Sequence, residues 1–145
     1  ENFPETEADV IRHPKLYFFD IGVLNGLLGN FETSLDRIGK CFEHVVYNQI
    51  RNSAYAKDED CKIHFFRTRN GLEVDFILKL RGKIIAIEVK VGEAHSGDIR
   101  PLLAFQEYYP LVSKLILVSL KEDKARNLNG VIVCGLVEML KIIEL

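Results

Sequence analysis

Apolar residues recur along this chain with two different periods, and the changes of period divide it into elements. Asp20 precedes a short helical segment over residues 21–28, where Ile21, Leu24, Leu27 and Leu28 share a face and Gly29 closes the last turn. A polar stretch follows to Asp36. A second helical pattern then covers residues 38–52, with Phe42, Val45, Val46, Gln49 and Ile50 as its inward stripe and Glu43 at the margin of that stripe. The period drops to two over residues 62–67, 72–80 and 83–91. Asn70-Gly71 and Arg81-Gly82 punctuate these three strands, which predicts an antiparallel meander.

In the second strand Leu72, Val74, Phe76, Leu78 and Leu80 form one face, and Glu73, Asp75, Ile77 and Lys79 the other. In the third, Ile85, Ile87, Val89 and Val91 oppose Ile84, Ala86, Glu88 and Lys90. Ser96 or Asp98 opens a helix that reaches Tyr109 before Pro110, with Leu102, Leu103 and Phe105 inward. Residues 114–120 are almost continuously apolar, as expected of a strand buried on both faces. A short strand at 131–134 and a helix at 136–143 complete the pattern. This order predicts an α/β (α+β) fold, a central mixed β-sheet flanked by helices. Residues 1–13 are polar and read as a linker or the end of a preceding domain, and residues 14–145 as one domain beginning with an extended aromatic stretch.

Composition changes this picture little. At 145 residues, with 48% hydrophobic and 28% charged, the chain suits a single globular domain. It begins at Glu1 rather than methionine, which suggests a piece of a longer or processed protein. It contains no apolar run near the roughly 18 residues that span a bilayer and no secretory signal pattern, so no membrane partner is expected. Cys41, Cys61 and Cys134 are scattered without C-x-x-C spacing, which fits thiols in a reducing compartment and a cytoplasmic location. His13, His44, His64 and His95 have no zinc-like spacing, and the chain has neither a phosphate-cradling G-x-x-x-x-G-K-[ST] nor a G-x-S-x-G elbow. No ATP site is therefore expected in this piece.

The net charge of −2 decides nothing about partners, but its distribution is uneven. From Lys62 to Lys90, seven basic residues (Lys62, Arg67, Arg69, Lys79, Arg81, Lys83, Lys90) face three acids (Glu73, Asp75, Glu88), a local balance of +4. That balance fits a polyanion held near an acidic cluster, with Arg67, Arg69 and Lys79 as nucleic-acid contacts. It fits equally a sheet edge guarded against edge-to-edge pairing.

The acids themselves are more informative. Paired strands can bring Asp75, Glu88 and Lys90 onto one face of the sheet. Two carboxylates at about 4–6 Å repel unless something positive intervenes. A hard cation such as Mg²⁺ or Mn²⁺ takes one or two carboxylates, waters and phosphate oxygens. Asp75 and Glu88 are thus the candidate ligands, with the Val89 backbone carbonyl completing the protein share. Glu43 is an auxiliary ligand from the helix. Lys90 would approach the attacking water or the phosphate. Glu88-x-Lys90 alone is a common exposed ion pair; the apolar strands around it, Asp75 and the helical Glu43 make the metal site the stronger reading. The loop from Gly92 to Gly97 fits either a phosphate contact or an ordinary connection.

Helical Glu43, Asp75 and the Glu88-x-Lys90 pair are similar to the core signature of the PD-(D/E)XK, or restriction-endonuclease-like, nuclease superfamily. More closely, the chain resembles the C-terminal domain of unknown function that follows the ATPase module in a group of bacterial and archaeal AAA+ proteins. Carrying that likeness are Lys15-Leu16-Tyr17-Phe18-Phe19-Asp20, Phe42-Glu43-His44-Val45-Val46, Phe66-Arg67-Thr68-Arg69, Gly71-Leu72-Glu73-Val74-Asp75-Phe76 and Ile87-Glu88-Val89-Lys90-Val91-Gly92. Val74 stands where the superfamily's name expects proline. The resemblance implies a restriction-endonuclease-like fold with Asp75, Glu88 and Lys90 as the catalytic triad and Glu43 as auxiliary. It also implies a Mg²⁺-dependent nuclease acting on DNA, joined to an N-terminal ATPase module of the same polypeptide. The alternative is a catalytically inactive module that keeps the fold for nucleic-acid binding or for assembly of the ATPase.

Overall fold

The computed structural model describes residues 15–31 and 34–145. The linker expected over residues 1–13, with His13, and Pro14 of the extended stretch lie outside the described residues. Helices α1 (Ile21–Leu28) and α2 (Leu35–Ala56) come first, followed by strands β1 (Cys61–Arg67), β2 (Glu73–Leu80) and β3 (Lys83–Lys90). Helix α3 (Arg100–Tyr108), strands β4 (Lys114–Ser119), β5 (Arg126–Leu128) and β6 (Val131–Cys134), and helix α4 (Leu136–Ile142) complete the order. The strands form one mixed sheet in the order β1-β2-β3-β4-β6-β5. β1, β2 and β3 pair antiparallel, β3–β4 and β4–β6 pair parallel, and β5 closes the far edge antiparallel to β6. The fold class is as expected: a six-stranded mixed sheet flanked by the four described helices.

Both faces of the sheet are covered, and the two helical patterns explain how. Phe42, Val46, Ile50 and Ala54, each one turn after the last, pack α2 onto Phe76, Leu78, Ile85, Ile87, Ile116 and Val118, and Met139 of α4 joins this layer. On the opposite face Leu102 and Phe105 of α3 pack onto Ile77, Ala86, Leu115, Leu117 and Val133. The uniformly buried Leu115 to Ser119 of β4 matches the strand expected to be covered on both sides.

Several boundaries differ, each for a local reason. Helix α2 is longer than expected because Ser34 caps it, accepting the Arg37 N–H, and Ala54 extends the inward stripe by a turn. Gln49 is exposed rather than inward, since the stripe advances in steps of four from Val46 to Ile50. In α1, Asp20 and Gly29 cap as expected, but Leu27 and Leu28 are 69% and 63% exposed, so the expected packing face is only partly used. Helix α3 starts at Arg100 with no side-chain cap, because the Asp98 carboxylate accepts the His95 N–H instead. Strand β5 was not anticipated; Arg126-Asn127-Leu128 has no apolar run, and its hairpin is set by Asn129 and Gly130 at φ 50° and 88°.

The most consequential departure is in β2, whose expected alternation breaks. His64 pairs with Ile77 and Phe66 with Val74, so one residue of β1, Phe65, opposes two of β2, Asp75 and Phe76. This is a β-bulge, and it reverses the sides of everything before it. Val74 packs with Ile77 on the α3 side, while Phe76, Leu78 and Leu80 pack on the α2 side. Alternation in β3 holds as read, with Ile85 and Ile87 on the α2 side and Ala86 on the other.

Phe76 touches the centre of this arrangement and is fully buried. Phe76→Ala is expected to cost about 3–5 kcal/mol. Tyr55→Ala, at a residue 88% exposed, is expected to stay within about 0.5 kcal/mol of the parent. Urea unfolding midpoints of the two variants check both values.

Candidate functional site

The ladder between β2 and β3 runs from Leu80↔Lys83 to Phe76↔Ile87 and goes no further. Beyond that point β3 follows β4, pairing Glu88, Val89 and Lys90 with Leu117, Val118 and Ser119. The bulged start of β2 follows β1, pairing Val74 with Phe66 and Glu73 with Arg67. A gap opens between the strands, and Asp75 bridges it. Asp75 Oδ2 accepts the Val89 N–H at 3.0 Å. The Asp75 backbone N–H lies near the Glu88 carboxylate and favours its charged form. The Asp75–Val89 bond thus replaces a rung of the missing ladder, satisfying a backbone group that would otherwise be stranded. Asp75 and Glu88 meet as expected, but across this gap rather than by standing side by side on one face. Val89 meets Asp75 through its N–H.

The Glu88 Oε2 atom is buried and accepts no hydrogen bond from any described residue. Burial and then the negative charge of Asp75 push the Glu88 carboxyl up to about 9, against the opposing pull of the Asp75 N–H and Lys15. Burial, followed by the Glu43 charge, raises Asp75 to about 6, with Lys15 and the Val89 N–H pulling the other way. Two neighbouring acids with perturbed affinities and one stranded oxygen are an arrangement that functional sites favour.

Glu43 reaches the same region from α2, as expected, but its partners were not foreseen. Lys15 places its ammonium 3.2 Å from Glu43 Oε1, 2.8 Å from Glu73 Oε1 and 3.5 Å from Asp75 Oδ1. Burial lowers the proton affinity of Lys15, and the three carboxylates outweigh it, leaving the group raised. The Tyr17 hydroxyl donates to the same Glu43 oxygen, and burial followed by that bond raises the phenol. Tyr17 is held by stacking on Tyr47 of α2 at 4.2 Å and Phe65 of β1 at 5.6 Å. Lys15, Tyr17 and Glu73 are therefore site residues that the sequence reading missed. Alternation offered a signal: in an extended chain Lys15 and Tyr17 point the same way, opposite to the 88% exposed Leu16.

Lys90, two residues after Glu88, forms an ion pair with Asp98 Oδ1. Burial would raise Asp98, but Lys90 and the His95 N–H dominate and lower it. Arg67 lies near the cluster, with Nε 3.9 Å from Glu73 Oε2, and Arg69 is exposed in the β1–β2 turn. Lys79 pairs with Lys62 and Ile84, four residues along β2 from Asp75, about 14 Å away at a strand's rise. The loop after β3 is tied down, since Gly92 O accepts the Ser119 hydroxyl at 2.7 Å and Ala94 O accepts Arg126 at 2.9 Å. His64 is buried, as a structural histidine would be, and His44 accepts the Phe18 N–H. The three cysteines are free, and burial raises Cys61 and Cys134 to about 11.

Among the described residues no group of three or more His, Cys, Asp or Glu side chains is arranged to hold a metal ion.

The raised Glu88 fixes a pH dependence of stability. The folded chain holds this proton more tightly than an unfolded glutamic acid at 4.5 does, so stability is lost as pH rises from there toward about 9. Relative to Glu88→Gln, which stays neutral, the wild-type melting temperature is expected to fall steadily between about pH 5 and 9. Parallel curves for the two proteins would show that Glu88 titrates like an exposed acid.

Among the described residues no helix is long and apolar enough to cross a membrane. No curated protein matches the chain. A family model described as a domain of unknown function, DUF4143, matches residues 38–139, a span that holds Glu43, Asp75, Glu88 and Lys90 and leaves Lys15 and Tyr17 outside it. Covering more than half of the 145 residues, the match establishes that the chain belongs to the DUF4143 family.

Proposed function

We propose that this domain is a divalent-metal-dependent nuclease of the PD-(D/E)XK type that cleaves DNA phosphodiester bonds, working with an AAA+ ATPase module of the same polypeptide. The observation that carries the reading is the gap between β2 and β3, where Asp75 and Glu88 converge and a buried Glu88 oxygen is left without a donor. A buried acceptor of that kind calls for a proton or a cation. Asp75 and Glu88 would hold Mg²⁺ or Mn²⁺, and Glu43 would contribute through water. When bound, the ion supplies a polarised phosphate and an activated water.

The other roles belong to this chain's own side chains. Val89 fixes the Asp75 carboxylate through its N–H, leaving Oδ1 as the outward oxygen. Lys90 lies two residues after Glu88 and shares its side of β3, so a change of rotamer away from Asp98 brings its ammonium toward the reacting phosphate. Arg67 and Arg69, at the end of β1 and the turn after it, flank the gap where a polyanionic backbone would lie.

A second reading is favoured by one specific feature. Both lysines near the gap are engaged, Lys90 with Asp98 and Lys15 with the acids, as they would be in a module that binds nucleic acid or assembles with the ATPase without cutting. The exposed apolar side chains Leu16, Phe19, Leu27, Leu28 and Phe31 suit such an assembly surface.

Calorimetry with Mn²⁺ separates the two. The nuclease reading expects saturable binding at sub-millimolar to millimolar concentration, lost in Asp75→Asn. Cleavage of DNA by the ATPase-linked protein should then fall by about a hundredfold or more in Asp75→Ala and in Lys90→Ala. Unchanged cleavage in both variants, or metal binding indifferent to Asp75, would sink the nuclease reading and leave the binding module.

A further inference from the structure

Lys15 occupies the space that a metal ion at Asp75 would need. Its ammonium contacts one oxygen from each of three carboxylates carried by two elements, Glu43 on α2 and Glu73 and Asp75 on β2. The second Asp75 oxygen is already committed to the Val89 N–H, so Oδ1 is the oxygen left for a ligand, and Lys15 is on it. Glu43 Oε1 is doubly engaged, by Lys15 and by the Tyr17 hydroxyl. Metal–carboxylate distances are about 2.0–2.1 Å for Mg²⁺. An ion at that distance from the same oxygens would stand within a few ångströms of the ammonium, and like charges that close repel strongly at a partly buried site.

From this geometry we infer that Lys15 is a built-in counter-ion of the acidic gap, and that a divalent cation reaches Asp75 and Glu43 only by displacing it. The inference rests on the metal-dependent reading given above. One ammonium opposes three carboxylates, with Arg67 only at 3.9 Å from Glu73, so exchanging a single positive charge for a double one balances the cluster better.

The exchange needs no unfolding of the segment that carries Lys15. The Phe18 N–H donates to His44 Nε2 at 3.1 Å, and Asn48 Nδ2 donates to the Phe18 and Phe19 carbonyls at 3.0 and 3.2 Å. Tyr17 is stacked between α2 and β1. The backbone is thus pinned independently of the ion pairs. The Lys15 side chain is 28% exposed on a flexible four-carbon stem, so it has both water and freedom to swing into. Lys15 thereby sets the affinity of the site: it offsets the repulsion among the acids in the absence of metal and competes with the metal when it arrives.

The test is Mn²⁺ calorimetry on the wild-type chain, Lys15→Met, Lys15→Arg and Asp75→Asn, together with amine labelling of the wild type read by mass spectrometry. Lys15→Met keeps the stem over the Phe65 ring, whose centroid is 5.5 Å from the ammonium, and removes only the charge. It is expected to bind Mn²⁺ at least tenfold more tightly than wild type, whereas Lys15→Arg binds no more tightly than wild type. Labelling of Lys15 is expected to rise as Mn²⁺ saturates, while the 73% exposed Lys40 is unchanged. Equal or weaker binding by Lys15→Met, with binding still lost in Asp75→Asn, overturns this inference and leaves the metal site standing. No saturable binding by either wild type or Lys15→Met overturns the metal-dependent reading and this inference with it. If Lys15→Met fails to fold, labelling decides on the wild type alone, and Lys15 reactivity indifferent to saturating Mn²⁺ overturns the inference.

Discussion

The parting of β2 from β3 after Phe76 and Ile87 is the constraint on which the rest of this molecule depends. Strand β3 is shared between an antiparallel neighbour and a parallel one, and its last three residues stay with the parallel one. The start of β2, advanced by one residue at the bulge, stays with β1. Two strands drawn to different partners leave the Val89 N–H without a ladder acceptor. Burying such a group costs on the order of 1–3 kcal/mol. Asp75 supplies the acceptor, so a carboxylate that makes the site chemically interesting also closes the sheet there.

That double duty explains the electrostatics. A carboxylate used as a strand bridge must be buried, and burial disfavours its charge. Glu88, with one oxygen unmet, is raised further than Asp75, which has the Lys15 ammonium and a backbone donor. Positive charge is then distributed on two sides of the gap. Lys15 stands over Glu43, Glu73 and Asp75, and Lys90 is turned to Asp98. Neither cation meets Glu88 by an ion pair among the described contacts, and that acid holds its proton instead.

Much of this could be read from residue order, and what could not has a physical cause. The capped helix at Ile21–Leu28, the three-strand meander and the doubly buried β4 follow from local periodicity and turn chemistry, and they form as read. Asp75, Glu88 and Glu43 were identifiable because each is a carboxylate set in or beside an apolar pattern. The bulge was not, since a single extra residue leaves the strand's composition untouched and shows only against its partner Phe65. Reading β2 as strict alternation put Val74 and Phe76 on one side when the sheet sends them to opposite sides. Lys15 and the Lys90–Asp98 pair were hidden for a different reason: ion-pair partners depend on which loops and termini fold back, and neither period nor spacing encodes that.

Helix α2 ties the sheet gap to the segment over it. Its inward stripe of Phe42, Val46, Ile50 and Ala54 anchors it to the sheet. The next residues around the helix, Glu43, His44, Tyr47 and Asn48, all serve the stretch from Lys15 to Phe19. Glu43 takes its ammonium and its phenol, His44 and Asn48 take its backbone, and Tyr47 stacks on its ring. One helical surface therefore positions a candidate ligand and the side chain that competes for it. The distance between Glu43 and Lys15 is set within α2 and its bound segment, whereas the distance from either to Asp75 is set by how α2 packs on Phe76 and its neighbours. Packing at the Phe42–Phe76 layer and charge at the gap are for this reason coupled.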